Sequence, residues 1–358
     1  MSPFIALKPK ILLIGESTGN LECDASIREI ADVTVLPTLG HDEAVVALKT
    51  LVEEKGPFVA FGVGAIVERG RRSRLTVPQA TFTPGKPFPG PFDRALLEPL
   101  MPDLGLCVGP GAGYDKVDID FLTSSGAIYA NTPTRVGMMT ADGALALILS
   151  ATRALTAQDH SVRKGGWKDN SILTKNWRDS TLGIVGMGNI GQQIADMSTA
   201  LGMKVVYSNR RPKSESPHEY VSLDDLFARA DIVVLTCPLT LETRYILRKE
   251  TFAKMKDGVI VVNVARGGCV NENDLVDALD SGKVLRAALD VFENEPTVHP
   301  GLLSNPNVTL SPHNAGAIDI SWRAINAEIV QNIAQYIETG KPLTPVNLEA
   351  LKAGGHKV

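Results

Sequence analysis

Two series of short apolar runs constrain the fold of this chain more than any other feature. The first series begins with KILLIG at 10–15 and ends with AIYANT at 127–132, and the second begins with LGIVGM at 182–187 and ends with VTLSPH at 308–313. Helical patterns separate many of these runs, and several runs are apolar at consecutive positions, as in parallel strands covered by helices on both faces. The sequence therefore predicts an α/β fold with two doubly wound parallel sheets.

The length and composition suit two globular domains without a nucleic-acid or membrane partner. The chain has 358 residues, and domains usually have about 100 to 200 residues. Its 36 basic and 40 acidic residues give a formal charge of −4, so nothing draws the whole chain to an anionic surface. No apolar run approaches the roughly 18 residues of a membrane span. Cys23, Cys107, Cys237 and Cys269 form no CxxC pair, which predicts reduced thiols in a cytoplasmic protein.

Two long helical patterns follow the two series of strands. TADGALALILSATRAL at 140–155 and SWRAINAEIVQNIAQYIETG at 321–340 are both rich in apolar residues at helical spacing. Such a pair of helices could carry the chain into one domain and back out of it.

A glycine motif indicates a dinucleotide site in the second series. Gly186, Gly188 and Gly191 fit GxGxxG directly after the strand-like LGIV and at the start of a helical run. The three glycines allow a tight turn, a close approach of the backbone to a pyrophosphate, and close packing of helix on strand. A purely structural turn is the alternative, but the strand–turn–helix–strand context favours a dinucleotide.

The residues after the next strand point to the kind of dinucleotide. A carboxylate about 20 residues past the glycines binds a free ribose 2′-hydroxyl, whereas a 2′-phosphate repels it and needs donors. Here Asn209, Arg210 and Arg211 stand at that position, preceded by Ser208. Guanidinium groups match phosphate in geometry and charge, so the sequence predicts NADP(H) as the preferred cofactor, with NAD(H) possible. The alternative is a surface loop that happens to carry two arginines.

Three polar residues follow strands of the second series. Arg266 comes directly after VIVVNVA, Glu295 shortly after RAALDV, and His313 closes VTLSPH. Parallel strands bring their carboxyl ends to one edge, where ligands bind, so these side chains are candidates for catalysis. Taken singly, each has an ordinary structural alternative: a salt bridge for Arg266, a surface position for Glu295, and a capping or packing role for His313.

Several motifs together resemble the D-isomer-specific 2-hydroxyacid dehydrogenases, and they cover most of the chain in the order of that family. They are GPGAGYDKVDID (109–120), NTPTRVGMMTADGALAL (131–147), GMGNIG (186–191), TCPLTLETRYIL (236–247), NVARGGCVNENDLVDAL (263–279), LDVFENEP (289–296) and SPHNAG (311–316). Within the family, the general layout is similar to the fungal D-mandelate dehydrogenase branch.

The resemblance implies a discontinuous architecture. A flavodoxin-like substrate domain would comprise residues 1–134 and 320–358, and a Rossmann cofactor domain, residues 135–319, would be inserted into it. The family also implies a homodimer formed through the cofactor domains, in which the loop at 163–177 takes part. Trp167 in that loop would then be an interface residue.

The resemblance also implies roles for the polar residues. His313 would exchange a proton with the substrate oxygen, and Glu295 would orient the imidazole and favour its protonated form. Arg266 would bind the substrate carboxylate, aided by the backbone N–H groups of Ala112 and Gly113. Asp290 would hold the nicotinamide carboxamide, with capping of nearby backbone as its alternative.

Further contacts to the cofactor are expected from residues at the same strand ends and around the glycine motif. These are Met187, Asn189, Ile190, Cys237, Pro238, Thr243, Val264, Ala265, Ala315 and Gly316, beside His313 itself. No metal ligand is expected.

Four residues are predicted to line the pocket for the substrate side chain. Val63 and Gly64 lie in an apolar, glycine-containing segment that could make room for a bulky group, and Met139 and Trp322 are candidate apolar walls. They favour a 2-oxo acid with a bulky apolar or aromatic side chain, such as phenylglyoxylate. A glyoxylate or hydroxypyruvate reductase would share every catalytic residue and remains the alternative.

Two other members of the family fit less well. A corepressor-like protein that senses NAD(P)H would keep the Arg, Glu and His set, but no basic tail or long disordered extension supports it. Formate dehydrogenases place Gln where Glu295 stands, because formate oxidation exchanges no proton at a carbonyl oxygen.

Overall fold

The chain forms two compact units. A computed structural model describes residues 8–14, 21–37, 39–63, 91–318 and 320–356. The first unit consists of Met1–Val136 and Ile318–Val358, and the second of Gly137–Ala317. The changes of unit therefore fall at 136/137 and 317/318, two residues from each limit expected from the sequence.

The described residues form twelve strands and thirteen α-helices, and most strands are followed by a helix. The strands are β1 (Lys10–Ile14), β2 (Asp32–Leu36), β3 (Ala60–Val63), β4 (Leu106–Val108), β5 (Ile128–Ala130), β6 (Thr181–Val185), β7 (Lys204–Ser208), β8 (Glu219–Tyr220), β9 (Ile232–Leu235), β10 (Val259–Asn263), β11 (Val284–Leu289) and β12 (Val308–Leu310). The helices are α1 (Leu21–Ile30), α2 (His41–Lys55), α3 (Arg94–Leu97), α4 (Ile119–Ser124), α5 (Pro133–Arg153), α6 (Leu155–Arg163), α7 (Asn189–Ala200), α8 (Leu223–Arg229), α9 (Lys249–Lys254), α10 (Glu272–Asp280), α11 (Pro300–Ser304), α12 (Ser321–Thr339) and α13 (Leu348–Ala353). Short 3₁₀ helices cover Glu98–Leu100, Trp177–Asp179 and Gly267–Cys269.

The first unit is built on a five-stranded parallel sheet in the order β2-β1-β3-β4-β5. This is the order of a flavodoxin-like doubly wound sheet. Consecutive residues of one strand enter different cores: Leu12 and Phe61 pack on one face, and Ile11 and Ala60 pack on the other. Burial on both faces explains why these strands are apolar at consecutive positions.

The second unit is built on a seven-stranded parallel sheet in the order β12-β11-β10-β9-β6-β7-β8. Cores again lie on both faces, with Val233 and Val261 in one and Ile232 and Ile260 in the other. The chain order reverses between β6 and β9, and ligands of such sheets bind outside the strand ends at this point. Two parallel sheets covered on both faces confirm the predicted fold class.

The first long helix begins earlier than its apolar pattern predicted. α5 starts at Pro133, seven residues before the predicted start at 140, because proline fits the first helical position. The buried carboxylate of Glu328, on α12, accepts hydrogen bonds from the backbone N–H groups of Thr134 and Arg135 at 3.1 and 3.4 Å. A carboxylate brought from a distant part of the chain thus satisfies the first turn, and no local pattern could show it.

In the part of the chain that the structure describes, no single helix is long and apolar enough to cross a membrane. Only α5 and α6 taken together reach that length and composition, and a bend of 62° at Ala154 separates them. Ala144, Ile148 and Ala151 of α5 are buried in the core of the second unit.

Candidate active site

The turn between β6 and α7 contains the GxGxxG motif. Gly186 has a φ of +105°, which favours glycine, and a Cβ there would lie 2.7 Å from the backbone nitrogen of Cys237. Gly188 caps α7, and a Cβ on it would meet no described atom within 4 Å. The turn therefore packs against the end of β9 but leaves space at a helix N-terminus, where N–H groups bind phosphate. This arrangement fits a pyrophosphate. The other residues of the motif lie in the same turn and the first turn of α7: Met187, Asn189, Ile190 and Gly191.

The residue after β7 is hydrogen-bonded to the turn that contains Gly186 and Gly188, which we call the glycine turn. The side-chain oxygen Oδ1 of Asn209 accepts a hydrogen bond from the backbone N–H of Met187 at 2.7 Å. Ser208 is the buried last residue of β7, whereas Arg210 and Arg211 are exposed. Asn209 thus holds the glycine turn in place, a role that the sequence did not reveal. The two arginines remain accessible to an anion.

The turn after β10 presents Arg266, which is half-buried. Its Nη1 donates to the carbonyl oxygen of Ala265 at 2.7 Å, so the guanidinium folds back on its own turn. The carbonyl oxygen of Arg266 accepts from the amide of Asn263, the last residue of β10, at 2.9 Å. The next residue, Gly267, packs so closely on Phe292 that a Cβ would overlap the Phe292 carbonyl group.

His313 and Glu295 form a direct pair. Nδ1 of His313 lies 3.0 Å from Oε2 of Glu295, and the imidazole is half-exposed. The other carboxylate oxygen, Oε1, accepts a hydrogen bond from the backbone N–H of Phe292 at 3.1 Å, which orients the carboxylate. With Nδ1 occupied by Glu295, Nε2 is the ring nitrogen that remains for a substrate. Such a pair can hold a proton on the imidazole and release it at Nε2.

The backbone at His313 is unusual, and Asp290 stabilises it. His313 has a φ of +56°, a left-handed conformation that costs about 1–3 kcal/mol in a residue other than glycine. Its N–H donates to the carbonyl oxygen of Asp290 at 2.7 Å. The buried carboxylate of Asp290 accepts from Ser311 Oγ at 2.5 Å and from the N–H groups of Asn314 and Ala315 at 2.8 and 3.0 Å. Asp290 therefore stabilises the loop that carries His313, and its contact with the nicotinamide carboxamide stays a prediction.

The remaining predicted cofactor contacts lie at neighbouring strand ends. After β9, Thr243 Oγ1 donates to the carbonyl oxygen of Pro238 at 2.6 Å and accepts from the N–H of Thr240 at 2.7 Å, which holds this loop in place. A hydrogen bond between Cys237 and Cys269, together with burial, raises the pKa of the Cys237 thiol. Others follow β10 and β12: Val264, Ala265, Ala315 and Gly316. No group of three or more His, Cys, Asp or Glu side chains in the described ranges could hold a metal ion.

The predicted carboxylate-binding loop of the first unit follows β4. Thr132 Oγ1 accepts from the N–H of Gly111 at 2.6 Å, and Asn131 donates to the carbonyl oxygen of Ala112 at 2.8 Å. The N–H groups of Ala112 and Gly113 have no acceptor among the described residues. They are thus available to a ligand.

The predicted pocket residues are only partly described. Met139 is buried in α5 of the second unit. Val63 ends β3, but its side chain, all of Gly64 and the side chain of Trp322 lie outside the described residues. The bulky apolar pocket therefore stays a prediction.

Comparison with known proteins adds to this geometry. The model of the family described as D-isomer specific 2-hydroxyacid dehydrogenase, NAD binding domain, matches residues 145–315. The chain is 40% identical over 262 residues to 4-methyl-2-oxopentanoate reductase A of Aspergillus oryzae. The aligned region covers 72% of this chain and 80% of that protein.

Two solved structures match almost the whole chain. A glyoxylate reductase from Paecilomyes thermophila superimposes with a TM-score of 0.83 at 32% identity, over 96% of this chain and 99% of that one. The holo form of D-mandelate dehydrogenase from Rhodotorula graminis gives a TM-score of 0.81 at 29% identity, over 95% of this chain and 98% of that one.

Proposed function

The chain belongs to the D-isomer-specific 2-hydroxyacid dehydrogenases, and we propose that it is an NADP(H)-preferring reductase of 2-oxo acids with a bulky apolar or aromatic side chain. Membership of the family makes it an oxidoreductase acting on CH–OH donors. The observation that carries the proposed mechanism is the contact of 3.0 Å between His313 and Glu295 beside the turn of Arg266.

In the reductive direction, the chain must bind a carboxylate and deliver a proton. NADPH, when bound, supplies the hydride that reduces C2 of the oxo acid. Arg266 holds the substrate carboxylate through charge-assisted hydrogen bonds. His313 donates the proton on Nε2 to the carbonyl oxygen, on which negative charge develops. Glu295 accepts from Nδ1 and stabilises the imidazolium before the transfer.

The proposed cofactor preference rests on the end of β7. Arg210 and Arg211 are exposed there, and Asn209, rather than a carboxylate, is the residue at the strand end that contacts the turn between β6 and α7. Two guanidinium groups favour a ribose 2′-phosphate over a 2′-hydroxyl.

Two observations support a bulky apolar substrate. The A. oryzae relative is named for 4-methyl-2-oxopentanoate, a branched apolar 2-oxo acid, and the R. graminis neighbour is named for D-mandelate. The P. thermophila neighbour, a glyoxylate reductase, favours the second candidate, reduction of glyoxylate or hydroxypyruvate.

One experiment tests both parts of the proposal. Values of kcat/KM are measured for phenylglyoxylate, 4-methyl-2-oxopentanoate, glyoxylate and hydroxypyruvate, each with NADPH and with NADH. We expect an apolar acid with NADPH to give the highest value. A preference for glyoxylate or hydroxypyruvate would establish the second candidate, and a ratio of NADPH to NADH near one would remove the role of the arginines.

His313→Ala should abolish turnover and retain NADPH binding, and an active variant would reject His313 as the acid.

We also propose that the chain forms a homodimer through its cofactor unit. Large apolar side chains are exposed on α6 and the segment after it, including Leu155 at 54%, Trp167 at 78% and Leu173 at 62%. Large apolar side chains that are exposed in a folded chain can belong to a protein interface. Light scattering should give the mass of a dimer, and Trp167→Ser with Leu173→Ser should lower it. A wild-type monomer at micromolar concentration would refute the proposal.

A further inference from the structure

Asn263, the last residue of β10, is fully buried three residues before Arg266. A buried amide costs free energy unless both its donor and its acceptor are satisfied. Asn263 satisfies both within the following turn. Its Oδ1 accepts from the N–H of Ala265 at 3.0 Å, and its Nδ2 donates to the carbonyl oxygen of Arg266 at 2.9 Å.

These two hydrogen bonds surround the group that orients the guanidinium. The carbonyl oxygen of Ala265, which accepts from Arg266 Nη1 at 2.7 Å, belongs to the peptide between the two groups that Asn263 binds. One side chain thus fixes the peptide before this carbonyl and the peptide after it. The amide of Asn263 therefore helps to set the direction of the Ala265 carbonyl, to which the guanidinium donates.

The backbone of Asn263 extends the same network toward the histidine. Its carbonyl oxygen accepts from the N–H of Asp290 at 3.0 Å, and the carbonyl oxygen of Asp290 accepts from the N–H of His313 at 2.7 Å. Asn263 is therefore one hydrogen-bonded step from the turn of Arg266 and two steps from the loop of His313. Both connections run through buried residues, where little can move without loss of packing.

We infer that Asn263 is a positioning residue, which holds the turn of Arg266 in the geometry that binds the carboxylate of the 2-oxo acid. The inference rests on the proposed function, in which Arg266 binds that carboxylate. A planar guanidinium and a carboxylate need mutual alignment for two parallel hydrogen bonds, and a shift of about 1 Å can cost about 100-fold in activity.

Asn263→Asp tests this inference with almost no change of shape. The new carboxylate still accepts from the N–H of Ala265 but cannot donate to the carbonyl oxygen of Arg266. We expect the KM for the 2-oxo acid to rise by about 10- to 100-fold, with the KM for NADPH unchanged within about 2-fold. The ratio of variant to wild-type KM should fall as the pH is lowered, because a protonated carboxyl group can donate again. Asn263→Ser, which is smaller and uncharged, should also raise the KM and serves if the first variant does not fold.

Asn332 provides a matched control in the other unit. It is also fully buried, donates to the carbonyl oxygen of Glu328 at 2.9 Å and accepts from the N–H of Thr344 at 3.0 Å. Asn332→Asp should lower stability and the active fraction without changing the KM for the oxo acid. If the Asn263 variants likewise lower only kcat and stability, Asn263 has a purely structural role and the inference is wrong. A wild-type protein that reduces no 2-oxo acid would instead refute the proposed function itself.

Discussion

Gly267→Ala should lower both catalysis and stability, because Gly267 packs directly on the backbone of Phe292 and Glu293. A Cβ at Gly267 would lie less than 3.0 Å from the carbonyl carbon and oxygen of Phe292 and from the nitrogen of Glu293. All three are backbone atoms, so no rotamer change relieves the overlap. The opposite segment is also held: the N–H of Phe292 donates to Glu295 at 3.1 Å, and the N–H of Glu293 donates to Glu272 at 2.9 Å.

The size of the effect follows from these contacts. Overpacking of a buried site costs about 1–3 kcal/mol, and the lower entropy of the unfolded alanine chain returns about 0.4–1 kcal/mol. The variant should therefore lose about 1–2 kcal/mol of unfolding free energy. One of the two segments must move by about 1 Å, and each carries a catalytic side chain, so kcat/KM should fall by about 100-fold.

Gly268→Ala is the control for this prediction. A Cβ there would meet the side chain of Leu239 at 3.2 and 3.3 Å and the end of the Arg244 side chain at 3.8 Å, and both side chains can shift. Urea unfolding and kcat/KM for both variants at one pH provide the comparison. We expect the unfolding free energy of the Gly268 variant to stay within about 0.5 kcal/mol of wild type, and its kcat/KM to stay within a few-fold. If Gly267→Ala retains wild-type kcat/KM, or if both variants lose activity equally, the close packing does not position the catalytic groups.

Three further predictions concern the cofactor, pH and a buried charge. Arg210→Ala combined with Arg211→Ala should raise the KM for NADPH by about 10- to 100-fold and that for NADH much less; equal effects would contradict the phosphate contact. Burial raises the pKa of Glu272, so the folded state binds the proton of this carboxyl group more tightly than the unfolded state does. The stability that this proton contributes is lost as the pH rises through the pKa of the folded state. Glu272→Gln should therefore raise the unfolding free energy at pH 8 and hardly change it at pH 4, and a pH-independent difference would oppose this reasoning. Arg286 is buried, its Nε and Nη1 have no partner in the described chain, and burial lowers its pKa, so Arg286→Met should stabilise by about 1–3 kcal/mol in urea unfolding. A loss of stability would contradict this reasoning.

The sequence determined the fold class and the location of the chemistry. Parallel strands buried on both faces must be apolar at consecutive positions, so both sheets were visible in the composition of short runs. The glycine motif was readable because a tight turn between strand and helix restricts residue type at fixed spacing. Arg266, Glu295 and His313 could be selected because parallel strands place their carboxyl ends along one edge.

The tertiary structure alone decided how these groups are held. Asn209 closes the glycine turn, Asp290 stabilises the left-handed backbone of His313, and Asn263 braces the turn of Arg266. Glu328 completes the first turn of α5 from almost 200 residues away. A local pattern reports periodicity and permitted backbone shape, but it does not report which buried polar side chain finds which backbone group. That choice depends on strand register and packing between distant segments, which exist only once the chain has folded.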